Sequence, residues 1–333
     1  MNARQLTGFV HPSAWIADDM APYPDKWHAK LSGAALAELL AEARRVDRTS
    51  IDTITAHAVD RGRLSGAAAV LAEIEREVMA ARGFVLLKGL DPALDDGMLN
   101  ACYWVIVNLM GKPISQNAYG DLLCEVRDTG RKLGEVQVRG YQTSGELKLH
   151  TDRSALVGLL CVRKARSGGR SSIASAVSVF NELLRQRPDC VEVLCKGLNY
   201  MNMEEGGDNG LKRVPIFDIR ANVLSCRYSR NTMTTAMLNG APFTDIEKEA
   251  LDVLDRLAGG PKLRLDMTLE RGDIQFINNY TTFHARTEYE DHPESHLKRS
   301  MTRAWVHSLT QRPLGSHFDD YFGVPVTLKR EPA

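Results

Sequence analysis

The sequence has no CxxC pair, no long apolar run and no excess of charge of either sign. Lysine and arginine together number 42 and aspartate and glutamate 42, for a formal net charge of zero. A balanced surface lacks the broad positive field that nucleic acids and anionic membranes require. The short basic stretch at 163–170 does not change that balance. No apolar run approaches the roughly 20 residues needed to cross a bilayer, and the opening MNARQLTGFVHPSAW lacks the apolar centre of a secretory signal. The cysteines at 102, 124, 161, 190, 195 and 226 are scattered, a usage that fits free thiols in a reducing compartment. The expectation is a cytoplasmic chain with a small-molecule substrate and no nucleic-acid or membrane partner. A homo-oligomer stays open.

What is present is a helix-rich first third followed by short strands. Ser32 reads as an N-cap for a helix running to about Val46, and Ser65 as another for a helix ending at Gly83. GFVLLKGL (83–90) reads as a buried strand and Asp95 to about Met110 as a helix. From about Gly134 the candidates are strands: VQVRGYQ, GELKLHTD, ALVGLLCVRKA, RSSIASAVSV, VPIFDI, VLSCRYS, KLRLDMTL, GDIQFINNY and RSMTRAWVHSL. Helical interruptions are expected from about Val179 to Leu194, broken near Pro188, and after the capping box TDIE at Thr244–Glu247. With no repeat and no convincing linker, one domain is expected: an antiparallel β-sandwich or barrel carrying helices, with a helical N-terminal elaboration.

Chemistry concentrates in GELKLHTD. Alternate residues of a strand share a face, so Leu147 and Leu149 are expected on one side and Lys148, His150 and Asp152 on the other. The histidine and aspartate then emerge together where the chain bends. His284 lies 134 residues later, just after the strand IQFIN. Two histidines and one carboxylate on one face of an octahedral ion leave three positions open, which suits non-haem Fe(II) oxygenases. Zinc more often has a closed site or a single water. On these residues alone, an ordinary polar loop remains an alternative.

The strand RSMTRAWVHSL adds a second signal, because Arg299, Met301, Arg303 and Trp305 share one face. Guanidinium groups among inward apolar neighbours are costly unless an anion meets them. That anion is either an internal carboxylate or a carboxylate-bearing cosubstrate, which arginine's planar fork pairs with well.

Together these pieces resemble the taurine dioxygenase/clavaminate synthase-like family of Fe(II)- and 2-oxoglutarate-dependent oxygenases. HTD at 150–152, RKARSGGRSSIAS, GDIQFINNYTTFHART and RSMTR occur in the family's order. The resemblance implies a mainly β fold with added helices, a double-stranded β-helix or jelly roll. It would form one domain over 1–333, with a helical elaboration over 1–82 and a core over 83–310.

The same resemblance implies that His150, Asp152 and His284 bind the iron and that Arg299 clamps the distal carboxylate of 2-oxoglutarate. Arg303 would contact the cosubstrate or the substrate, and Ser171, with Ser172 in reserve, would assist the cosubstrate. It also implies that O2 and 2-oxoglutarate are consumed with release of succinate and CO2. With aspartate at 152 the expected outcome is oxygenation rather than halogenation. A small amino-acid-like or specialised-metabolite substrate is expected, with Arg153, Lys148 and Asn117 as further candidate contacts. Gln116, Asn278 and Asn279 either line the site or satisfy buried backbone. Arg286 either contacts substrate or buttresses Asp152. The segment MEEGGDNGLKR (203–213) is a solvated loop or a lid. Two other readings stand beside this one: a zinc hydrolase using the same ligands, and a non-catalytic jelly-roll binding protein.

Overall fold

A computed structural model describes residues 6–131, 140–201, 210–319 and 323–328. Two sheets pack against each other. The larger runs in the order His28–Lys30, Phe84–Lys88, Ile274–Asn278, Leu156–Arg163, Ser300–Ser308 and Gly111–Ile114, with Leu123–Val126 also paired to Ser300–Ser308. The smaller runs Arg264–Met267, Ser171–Ser175, Thr282–Arg286 and Leu147–His150, antiparallel throughout. Neither sheet closes on itself among the described residues.

Period-two alternation explains the layering. Phe84 and Leu86 point into the core between the sheets, with Val157, Ile173, Leu265, Ile277 and Met301. Val85 and Leu87 point outward into a second core, shared with the helices Gly33–Ala43, Ser65–Ala80 and Asp96–Met110. A strand buried on both faces needs an unbroken apolar run, and FVLLK is one. The small sheet's outer face is covered by Ala176–Gln186, Pro188–Lys196 and Asp245–Gly259. The outcome is a mixed α/β fold related to the jelly roll. It is more helical than the expected mainly β class, because both outer faces carry apolar side chains that need cover.

Local chemistry sets the boundaries. Ser32 accepts from the Ala35 N–H, Asp95 from Met98, and Thr244 and Glu247 form the reciprocal capping box, each cap contributing about 1 kcal/mol. Ser65 departs from expectation by lying inside its helix. Leu64 holds the cap position, and Glu38 of the neighbouring helix accepts from the Ala67 N–H at 2.8 Å instead. RSSIASAVSV also divides, since the strand ends at Ser175, whose hydroxyl caps the helix from Ala176. VPIFDI contributes to two strands, Lys212–Val214 and Phe217–Arg220. Most of VQVRGYQ, and residues 203–209 of the expected loop or lid, lie outside the described residues.

Candidate metal centre

His150 ends its strand and His284 sits mid-strand on Thr282–Arg286, directly opposite in the ladder. Their ring centroids are 4.2 Å apart. Asp152 follows two residues on, held by the Asn279 side chain. Asn279 accepts from the Asp152 N–H at 3.0 Å and donates to the carbonyls of Asp152 (2.5 Å) and Ser154 (2.8 Å). Both imidazole Nε2 atoms then lie 3.8 Å from the carboxylate, His150 from Oδ1 and His284 from Oδ2. One ligand atom from each of the three residues lies within 4.8 Å of the others. These separations are too long for hydrogen bonds. They suit a shared ion, since donors about 2.1 Å from one centre stand roughly 3–4 Å apart.

Protonation favours ligation. The Nδ1–H of His150 donates to the Lys148 carbonyl at 2.8 Å, which fixes the ring with Nε2 toward Asp152. Burial, reinforced by His150 and Arg303, pushes His284 down to about 3 against the opposing pull of Asp152, so its imidazole is neutral. For Asp152, burial acts to raise the pKa. Arg303, the two histidines and the Trp305 N–H outweigh it and hold the carboxyl well below its usual range.

Strand alternation fails locally. A register shift between His284 and Arg286 sets Arg286 opposite Leu147, so Leu147 lines the central cavity with His150 while Leu149 packs beneath the small sheet. The cavity is about 420 Å³, and Arg286, Arg299 and Arg303 also line it.

The two expected arginines differ in partners. Arg303 donates from Nη1 to Asp152 Oδ2 at 3.1 Å and from Nε to Gln116 Oε1 at 2.8 Å. Gln116 returns a bond to the Arg303 carbonyl, and the guanidinium stacks over Tyr141 and Trp305. It therefore faces a carboxylate of the chain itself. Arg299 is 4% exposed, packs on the Tyr289 ring, and has a buried Nη1 with no hydrogen-bond partner among the described residues. Burial lowers its pKa against the opposing pull of Tyr289, Cys161 and Asp291. Gly169, at φ +69, lies so close that an added Cβ would stand 3.3 Å from Arg299 Nε.

Ser171 lines the same cavity and donates to Gln275 Oε1. Ser172, one residue on, binds Asp266 and is not among the lining residues. Three expected substrate contacts also stand off the cavity lining. Lys148 is exposed, and its carbonyl serves His150. Asn117 is used within its own turn, binding Asp121 and accepting from Tyr119. Arg153 is partly buried and has a partner. Asn278 and Asn279 satisfy backbone groups, and Arg286 donates to the Thr143 and Gly145 carbonyls rather than to Asp152. Reading the strand did not give Trp305 a role, yet its Nε1–H donates to Asp152 Oδ2 at 2.9 Å. Its position two residues past Arg303 was the available signal. Cys161 also lines the cavity, donating to the Leu269 carbonyl, and burial pushes its thiol up to about 12.

A mononuclear facial triad beside a cavity with a buried guanidinium that forms no ion pair among the described residues, on a jelly-roll-related frame, suits a non-haem iron oxygenase that uses an anionic cosubstrate. The family model described as "Taurine catabolism dioxygenase TauD, TfdA family" matches residues 53–305, and the chain belongs to that family. It is an Fe(II)- and 2-oxoglutarate-dependent dioxygenase. The chain is 29% identical over 295 residues to FR-33289 synthase of Streptomyces rubellomurinus (strain ATCC 31215), covering 84% of this chain and 85% of that protein. An asparagine oxygenase solved with Fe(II), 2S,3S-3-hydroxyasparagine and succinate has the same fold, with TM-score 0.63, 15% identity, and coverage of 90% of this chain and 100% of that one. So has the non-haem iron oxygenase OrfP solved with Fe and alpha-ketoglutaric acid, with TM-score 0.60, 14% identity, and coverage of 84% and 94%. No described helix is long and apolar enough to cross a membrane.

Proposed function

We propose that His150, Asp152 and His284 hold Fe(II), that Arg299 with Ser171 receives the remote carboxylate of 2-oxoglutarate, and that a small amino-acid-like molecule is hydroxylated in the remaining cavity. The balanced reaction is R–H + 2-oxoglutarate + O2 → R–OH + succinate + CO2. Bound iron with the cosubstrate supplies the oxidising chemistry. The residues of the chain do the rest. His150 and His284 turn their Nε2 atoms toward the Asp152 carboxylate, and Asp152 stays ionised under the influence of Arg303 and Trp305. The apolar walls formed by Val157, Leu159 and Met301 keep water from the reacting centre.

Arg303 acts here by positioning Asp152 rather than by gripping the cosubstrate. The observation that carries the reading is a triad of ligand atoms within 4.8 Å, two of whose members, His150 and His284, line the same cavity as Arg299, whose buried Nη1 has no hydrogen-bond partner among the described residues. A zinc hydrolase would need the triad but leaves Arg299 without an anion. The amino-acid-like substrate is supported by the hydroxyasparagine held by the asparagine oxygenase of like fold. We read residues 1–333 as one cytoplasmic domain and the two sheets as the walls of a double-stranded β-helix. The test is anaerobic purification, Fe(II) loading, and a succinate assay against a panel of amino acids and related acids. Succinate release coupled to substrate oxidation is expected. Turnover without O2 or 2-oxoglutarate would overturn the reading.

A further inference from the structure

Arg299 is not the only buried guanidinium with idle donors. Arg286, two residues past His284, is 6% exposed and lines the cavity, and its Nε and Nη1 have no hydrogen-bond partner among the described residues. Both guanidinium groups pack against the ring of Tyr289, Arg286 at 4.8 Å and Arg299 at 4.9 Å from its centroid. Arg286 is the ladder partner of Ser171, so it stands at the same level of the small sheet as the serine assigned to the cosubstrate. The Tyr289 ring and its buried hydroxyl offer two cations some relief, but only one neutral acceptor for several N–H groups. Asp128 acts on Arg286 and Asp291 on Arg299 electrostatically, but no carboxylate among the described residues forms an ion pair with either guanidinium, so the two suit an anion that reaches both.

The third nitrogen of Arg286 does different work. Nη2 donates to the carbonyls of Thr143, at 2.8 Å, and Gly145. Those residues follow Tyr141, which stacks on Arg303, and Arg303 in turn holds Asp152.

We propose that Arg286 is a second guanidinium for the remote carboxylate of the cosubstrate, and that its grip on Thr143 and Gly145 couples cosubstrate arrival to the position of the segment carrying Tyr141. The proposal rests on the 2-oxoglutarate reading above. One face of the fork meets the ligand while the other fixes the wall against which a substrate is placed.

The test uses the full-length protein loaded with Fe(II) under anaerobic conditions. Binding of 2-oxoglutarate and of the monocarboxylate 2-oxobutyrate is measured by calorimetry for the wild type, Arg286→Lys and Arg286→Gln. The wild type should favour the dicarboxylate, and Arg286→Gln should lose roughly 10–100-fold of 2-oxoglutarate affinity. Arg286→Lys, which keeps the charge without the fork, should fall between, with 2-oxobutyrate affinity little changed in both. The ratio of the two affinities does not depend on the fraction of protein that is folded. Amide hydrogen exchange across 140–147 should slow on 2-oxoglutarate addition in the wild type and not in Arg286→Gln. An unchanged affinity ratio in both variants, or equal slowing of exchange in the wild type and Arg286→Gln, overturns the proposal while leaving the broader function intact. A wild type that binds iron but not 2-oxoglutarate overturns both.

Discussion

The two ends of the cavity are built on opposite principles. At the triad end the one carboxylate is already supplied with an arginine and an indole N–H, and that arginine is held in turn by Gln116. At the Tyr289 end two guanidinium groups are buried with donors left over. The first end holds its charge ready before any ligand comes, which suits a metal that must find its donors deprotonated. The second holds two cations that Asp128 and Asp291 offset only in part, a charge that an arriving anion would balance. In the proposed function such a cavity would orient its cosubstrate, with the keto-acid end toward the metal and the remote carboxylate toward the arginines.

That contrast can be broken from either side. Replacing His150 or His284 with alanine should abolish iron retention and turnover, measured by metal analysis after anaerobic loading. Full activity in either variant would remove that histidine from the site. Arg299→Ala should keep iron yet lose about 3 kcal/mol of 2-oxoglutarate binding, roughly 100-fold, because charge-assisted bonds at a buried site are lost together. Unchanged cosubstrate affinity there would dissolve the difference between the two ends.

Arg303→Gln should act on the opposite ligand, weakening iron affinity by roughly 10–100-fold as removal of a ligand's supporting partner does. If it weakens 2-oxoglutarate binding instead, the guanidinium belongs to the cosubstrate. Gly169→Ala should cost about 1–2 kcal/mol through its left-handed backbone and loosen cosubstrate binding by crowding Arg299, both readable by thermal melting and calorimetry. Asn117→Ala, off the cavity lining, should leave substrate affinity unchanged while costing about 1 kcal/mol of stability through its turn hydrogen bonds, and Lys148→Ala should change both least, within about 0.5 kcal/mol.

Much of this was legible because it depends on local pattern. The HTD triplet, His284 and the alternating arginines of the Ser300–Ser308 region are each set by residue type and spacing, and the structure gathers them around one cavity. The missing part was three-dimensional. His284 was expected to trail the strand IQFIN, but the chain changes sheets between them, through a turn in which the Asn278 side chain accepts from the Tyr280 N–H. An Asn-rich turn reads the same whether it continues a sheet or leaves it. Leu147 was assigned by strict alternation, and a register shift opposite Arg286 undid that. Serine 171 and serine 172 were separable only once the pairing with Asp266 and Gln275 was visible. The partners of the arginines, Tyr289 for one and Asp152 for the other, are distant in sequence and have no periodicity to announce them.

Cys161 has a consequence for durability. It places sulfur inside the chamber of an enzyme whose work is oxidation, and sulfur is most easily attacked as a thiolate. With burial pushing the thiol up to about 12, little thiolate is present at neutral pH, which slows the oxidation that proceeds through that form. Apolar surroundings thus let the enzyme keep a soft, space-filling atom in its chamber with one route of self-inflicted wear largely shut.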